Sequence, residues 1–307
     1  MNSRSIARGW SPRPTTSAGA SAASSVGHGH GKLVLCGEHA VVYGHPAIAF
    51  AVDRGTTVTL TRRPGPTRVH SAHADHRLDD ALRTALDADG FEAAVETDLP
   101  VGRGMGSSAA LAVAVVRARA ALDGESPAPD AVFDRAMPIE RRFHGNPSGV
   151  DVAVSARGGC LWFCRGEPPI RETVRPGDWS IVVLDSGVAG DTAELVAAVG
   201  ARRPGIDPEL AAIGDLVRSA REALADPEQL GPLLTENHRL LQRIGVSTPQ
   251  LDAMVALALS AGAYGAKLAG AGGGGVVLAL VDEPGAVLAA AAAAGVPAFT
   301  CRPWTPP

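Results

Sequence analysis

A chain of 307 residues holds about two domains at the usual domain size, and 20% charged side chains with a formal net charge of −4 leave no basic excess for a nucleic-acid surface. Its four cysteines, Cys36, Cys160, Cys164 and Cys301, have neither metal-site nor disulfide-framework spacing, which points to a reducing, cytoplasmic setting. No uninterrupted apolar run reaches the roughly 18 residues of a membrane span. Residues 1–26 are rich in Ser, Ala and Arg and carry no acid; they read as a disordered extension rather than a transit peptide. Leu33–Cys36 reads as a strand that breaks at Gly37, followed by Glu38 and His39, two polar residues inside an apolar stretch. They read either as site residues or as a strand-end salt bridge. Ala51–Arg63 is rich in β-branched residues and reads as strand. His70, His73 and His76 are spaced by three; a solvated turn is favoured over a zinc site, for which no fourth ligand is evident. Arg77–Ala88 reads as a helix and Phe91–Thr97 as a strand.

The stretch that follows, DLPVGRGMGSSAALAVAVVRARAALDG, places Gly102, Gly104 and Gly106 at alternate positions before Ser107, Ser108 and an alanine-rich helix, Ala109–Leu122. Glycine lets a backbone press against a ligand, and the free N–H groups and dipole of a helix N-terminus attract an anion, most often phosphate. Walker A is excluded, since no Lys follows the glycines. Gly104 to Ala109 fits G-x-G-x-x-A, but Pro100 interrupts the strand that this fingerprint needs. A glycine-rich turn capping an ordinary helix stays open as the alternative.

Pro127–Phe143 reads as largely helical, with a break or kink at Pro138. His144-Gly145-Asn146-Pro147 then breaks the chain, and Ser148-Gly149-Val150-Asp151 opens another helix. Ser148 and Asp151 fit a capping-box variant. Equally, Glu140 and Asp151 brought together suit a metal ligand and a base, the pair that phosphoryl transfer uses with Mg²⁺. GGCLWFCRG reads as a buried strand. The second half offers a strand at Ser180–Leu184 and helices at Thr192–Ala201, Pro208–Leu224, Pro227–Ile244 and Pro249–Gly262. Gly270-x-Gly272-x-x-Gly275 runs into a strand, which excludes a dinucleotide fold and suggests a loop that approaches a ligand or another backbone. Of the 28 Lys and Arg residues only Lys32 and Lys267 are lysines, and both stand beside glycine-rich stretches. Arg's planar fork does not replace an ammonium on a thin stem, so their retention hints at function.

Three motifs in this order, GKLVLCGEHAVVYG, LPVGRGMGSSAA and KLAGAGGGG, resemble the GHMP kinases, and the resemblance spans about residues 30–280. GEHAVVYG and ERRFHGNPSGVD are most similar to the members that act on mevalonate. The resemblance implies an α+β fold of two domains, a ribosomal-S5-like ATP-binding domain at 27–172 and a ferredoxin-like domain at 173–307. It also implies ATP and Mg²⁺ as the cofactors and phosphorylation of the mevalonate 5-hydroxyl. Asp151 would be the base and Lys32 its cationic partner. Residues Gly102, Arg103, Gly104, Met105, Gly106, Ser107, Ser108 and Ala109 would cradle the phosphates, with Ser108 and Glu140 on the metal. Glu38, His39, Ser148, Thr192, Gly270, Ala271 and Gly272 would face the substrate or line the cleft. His30, Val152, Ala269 and Val276 stand where the family usually has Pro, Asn, Thr and Cys. The alternatives are a sister kinase acting on phosphomevalonate or a sugar, or a silent sensor that binds ATP. The expected partner is the small-molecule substrate, with no nucleic acid or membrane, and a homodimer is possible.

Overall fold

The computed structural model describes residues 23–72, 82–83, 85–86, 89–145, 147–166 and 170–305. Two strands carry the first half: β1 (Ser24–Cys36) and β2 (Pro46–Arg62), antiparallel along almost their whole length. The other edge of β2 is divided. β4 (Phe91–Thr97) pairs with its second part and β5 (Cys160–Cys164) with its first; β3 (Arg68–Ser71) and β6 (Ile170–Val174) complete the sheet outside them.

Helices α1 (Ser107–Leu122) and α3 (Val150–Arg157) pack against this sheet, and α2 (Pro129–His144) packs against those two helices. α1 is buried on nearly every side, which its alanines permit because they need little room. Its approach to β1 depends on two glycines. A Cβ on Gly27 would lie 2.1 Å from the Ala114 carbonyl oxygen, and one on Gly29 would lie 2.0 Å from that of Ala110. The helix therefore rests on bare strand backbone. α2 continues unbroken through Pro138.

The second half is an antiparallel sheet in the order β10-β7-β9-β8: β7 (Ser180–Asp185), β8 (Gly265–Ala269), β9 (Val276–Val281) and β10 (Ala298–Cys301). With strands taken as first to fourth, this is the 4-1-3-2 order of a ferredoxin-like unit. Helices α4 (Thr192–Ala201), α5 (Asp207–Glu222), α6 (Pro227–Arg243) and α7 (Pro249–Ser260) lie between β7 and β8, and α8 (Gly285–Ala293) between β9 and β10. Asp191, Asp226 and Thr248 cap α4, α6 and α7 with their side-chain oxygens, which is why these starts were legible in the sequence. Ile213, Val217, Leu234 and Leu241 of the helices share one core with Val182, Leu184, Leu268 and Val277 of the strands.

Several expectations need correction. The disordered extension cannot reach residue 26, because β1 begins at Ser24; residues 1–22 lie outside those described. The boundary at 172 is also displaced, since β6 pairs with β5 through Val174 and the second sheet starts at Ser180. Nor does the second domain keep the C-terminal end: Pro303 bridges Val52, and the Trp304 N–H donates to the Ala51 carbonyl at 2.7 Å. Of the expected helix at 77–88, residues 82, 83, 85 and 86 are helical and the others lie outside the described residues, as do His73, His76 and Asn146. His70 sits on β3 with Nε2 2.9 Å from Glu92. Among the described residues no helix is long and apolar enough to cross a membrane.

Candidate active site

A cavity of about 810 Å³ opens between the first sheet, the start of α1, the α2–α3 corner and the loops of the second domain. Lys32, Glu38, His39, Gly102, Gly104, Gly106, Ser107, Ser108, Glu140, Ser148, Asp151, Thr192, Gly270 and Ala271 all line it, so residues separated by up to 239 positions meet.

The centre is an ion pair. Lys32 Nζ lies 3.1 Å from Asp151 Oδ2 and donates to the Gly104 carbonyl at 2.9 Å, while the Lys32 backbone N–H donates to the Met105 carbonyl. Lys32 is almost fully buried and Asp151 is partly open to the cavity. The capping box does not form: the residue before α3 is Gly149, whose φ is 90°, and no side chain caps that end. Ser148 Oγ accepts only a long bond from the Val150 N–H, at 3.4 Å, which leaves Asp151 to Lys32.

The glycine loop is shaped by what it touches. Gly102, Gly104 and Gly106 all have positive φ. A Cβ on Gly106 would lie 2.8 Å from Lys32 Cγ, so only glycine lets the loop cross the lysine stem. Gly106 is also the N-cap of α1, where no side chain bonds the first N–H groups, leaving that helix end as an anion seat. Three loop residues contribute backbone alone. Met105 and Ala109 turn into the core, and Arg103 reaches towards Asp185 of β7, Nε to Oδ1 3.6 Å. Gly104 faces Gly270 backbone to backbone: a Cβ on Gly270 would be 3.3 Å from Gly104 Cα. Gly272 lies off the main cavity, pressed against the Val246 carbonyl.

Ser108 Oγ donates to Glu140 Oε1 at 3.1 Å. Glu140 is buried and its carboxyl is pushed up to about 8, first by burial and then by the Asp151 charge, against which the Ser108 hydrogen bond and Lys32 act more weakly. Its Oε2 has no partner. A buried carboxyl group that favours its neutral form, with an unmatched oxygen and a hydroxyl beside it, is a hard-oxygen set that suits Mg²⁺, whose charge would take the place of the proton. Sequence reading missed His144, whose Nε2 is 3.1 Å from Ser108 Oγ; its position one turn beyond Glu140 on α2 was the available signal.

Lys267 is fully buried and pairs with Glu38 Oε1, also donating to the Leu268 carbonyl at 2.6 Å. Glu38 thus has one oxygen in a salt bridge, while the other, Oε2, has no partner, and the residue lines the cavity. His39 has φ 60°, a strained region for a non-glycine residue. Its Nε2 is 2.8 Å from the Ala271 carbonyl. A carbonyl only accepts, so Nε2 carries the proton; burial holds the ring pKa below the ordinary value, and neutral His39 keeps Nδ1 as an unpartnered acceptor. Thr192 opens α4, beside the capping Asp191.

The GHMP kinases N terminal domain model matches residues 73–159, and the GHMP kinases C terminal model matches residues 220–296. The chain belongs to the GHMP kinase family. Within it the chain is similar to the mevalonate kinase of Thermococcus sibiricus, at 36% identity over 88% of this chain and 93% of that one. It is also similar to that of Methanothermobacter thermautotrophicus, at 36% identity over 81% and 87%. The fold matches L. major mevalonate kinase in complex with R-mevalonate with a TM-score of 0.82, at 27% identity, covering 93% of this chain and 98% of that one.

Proposed function

We propose that the protein transfers the γ-phosphoryl group of ATP to the 5-hydroxyl of (R)-mevalonate, giving 5-phosphomevalonate and ADP. The observation that carries this reading is the Lys32–Asp151 pair beside the Gly104 carbonyl, in one cavity with the uncapped end of α1. Asp151 accepts the proton of the attacking hydroxyl, since a primary alcohol is too weak an acid to react unaided. Lys32 offsets negative charge on that oxygen and on the group in transfer. The backbone of Gly102–Ala109 and the α1 dipole hold the phosphates. Glu140 and Ser108 would hold Mg²⁺, which when bound neutralises phosphate charge. Glu38, His39, Ser148 and Thr192 orient the acceptor, with Glu38 Oε2 and His39 Nδ1 free to accept from its hydroxyls. Gly270 and Ala271 close the cleft from the other domain.

A phosphorylated acceptor fits less well, because the ammonium that lines the cavity, Lys32, is already matched by Asp151, and Lys267 is buried away from the cavity against Glu38. A silent sensor would have no use for Asp151, Lys32 and Glu140 in this arrangement. The test is a coupled ADP-release assay with mevalonate, phosphomevalonate, homoserine and galactose. Mevalonate is expected to give the highest kcat/KM. Asp151→Asn is expected to lower kcat by about 10²–10⁴ while ATP still binds. Preference for another acceptor would overturn the substrate, and a near wild-type Asp151→Asn rate would overturn the base.

A further inference from the structure

β1 and β2 change register at the functional lysine. His30 lies opposite Gly55, whereas Lys32 lies opposite Ala51. Gly31 alone therefore stands against Val52, Asp53 and Arg54 of β2. The effect on Lys32 is direct. Before the irregularity the odd positions Gly27 and Gly29 abut α1; after it the even positions do, Val34 in the core beside Ala109 and Val113 and Lys32 against Gly106. In an unbroken strand, alternation would turn Lys32 to the opposite face, away from Gly104 and Asp151.

The C-terminal end of the chain holds the irregular residues. Pro303 bridges Val52, and the Arg54 guanidinium lies 4.3 Å from the Phe299 ring centroid. Trp304 is bonded on both sides of its backbone: its N–H donates to the Ala51 carbonyl at 2.7 Å, and its carbonyl accepts from the Gly159 N–H at 2.9 Å. Its indole stacks on the buried His30, with centroids 3.7 Å apart and planes at 26°. Ala51 is the register partner of Lys32, and His30 is two residues before it, so Trp304 grips both strands where the lysine is aimed.

We propose that Phe299–Trp304 is a strap that fixes this irregularity, and that Trp304 is a positioning residue for Lys32. It touches no reacting group; it sets the direction of the ammonium that faces Asp151. The proposal rests on the reading of Lys32 given above, so Lys32→Met is measured beside it. In the full-length protein, Trp304→Ala is expected to lower kcat about tenfold with both KM values within about twofold of wild type, the pattern of an interaction realised only in the transition state. Trp304→Phe keeps an aromatic face for His30 and is expected to restore most of kcat. Thermal unfolding, followed in parallel, confirms that each variant is folded at the assay temperature. Wild-type kcat in Trp304→Ala would overturn the proposal, as would kcat and both KM values changing together, or Trp304→Phe behaving as Trp304→Ala. If Trp304→Ala does not fold, His30→Ala decides, because it removes the stack and leaves the tail's backbone bonds: a lower kcat at constant KM supports the strap, and an unchanged kcat refutes it. Wild-type turnover in Lys32→Met would instead bring down the reading of the active site.

Discussion

Lys32 and Lys267 perform opposite tasks with the same group. Lys32 lies at the edge of the cavity against a partly open carboxylate, where its charge can act on a ligand. Lys267 has no exposure and spends its charge on Glu38, tying the first glycine motif to the strand that carries the last one. Breaking a buried pair from one side leaves an uncompensated charge, which typically costs about 3–5 kcal/mol. Lys267→Met should therefore lose stability of that order in urea unfolding, and Glu38→Gln combined with Lys267→Met should recover more than half of it. Recovery of stability should not bring back mevalonate affinity, because Glu38 would no longer offer a charged acceptor. A double variant no more stable than Lys267→Met would refute this account of the pair. The retention of two lysines in an arginine-rich chain was visible in the sequence; that one of them is a tie rather than a site group was not, since only the fold gives its partner.

At the level of elements, the depth at which α1 sits is set by two glycines of β1. Gly27 and Gly29 let the helix backbone meet β1, and that depth brings Gly106 against the stem of Lys32. Gly29→Ala would put a methyl group 2.0 Å from a helix carbonyl oxygen, which has no flexible end to move aside. Overpacking of this kind costs about 1–3 kcal/mol. The expected result is a lower unfolding midpoint together with a reduced kcat, because the loop moves with the helix; a variant matching wild type in both would show the contact to be slack. The glycine motifs and the helix starts could be read locally, since glycine runs and Asp, Thr and Pro signals act over a few residues. The beginning of β1 could not. Glycine has poor strand propensity, and it is pairing with β2, together with the packing of α1, that holds Ser24–His30 as a strand.

For the molecule as a whole, several imidazoles are held neutral. His30 is lowered to about 4, chiefly by burial and then by His28; His28, His39 and His238 are also lowered, each first by burial. In the unfolded chain these rings protonate near their ordinary value of about 6.5. Between about pH 4 and 6.5 the unfolded state thus binds more protons, and stability rises with pH. Their contribution is complete above pH 6.5 and is lost as pH falls through that window. Thermal midpoints measured from pH 7 down to 4.5 should decline, and the decline should be shallower in His30→Phe; equal slopes would show that His30 is not among the groups responsible. The two-domain plan and the residues that meet at the cavity were legible because each motif carries its own chemistry. The return of the tail was not, because Pro303 and Trp304 signal nothing until Val52 and His30 are opposite them. That return also changes what the division into two halves means. The polypeptide leaves the first sheet after Val174 and comes back to it at Pro303, so the ferredoxin-like half is inserted into its neighbour rather than appended to it. A cut made after the first sheet would take away the second half and, with it, a piece of the first.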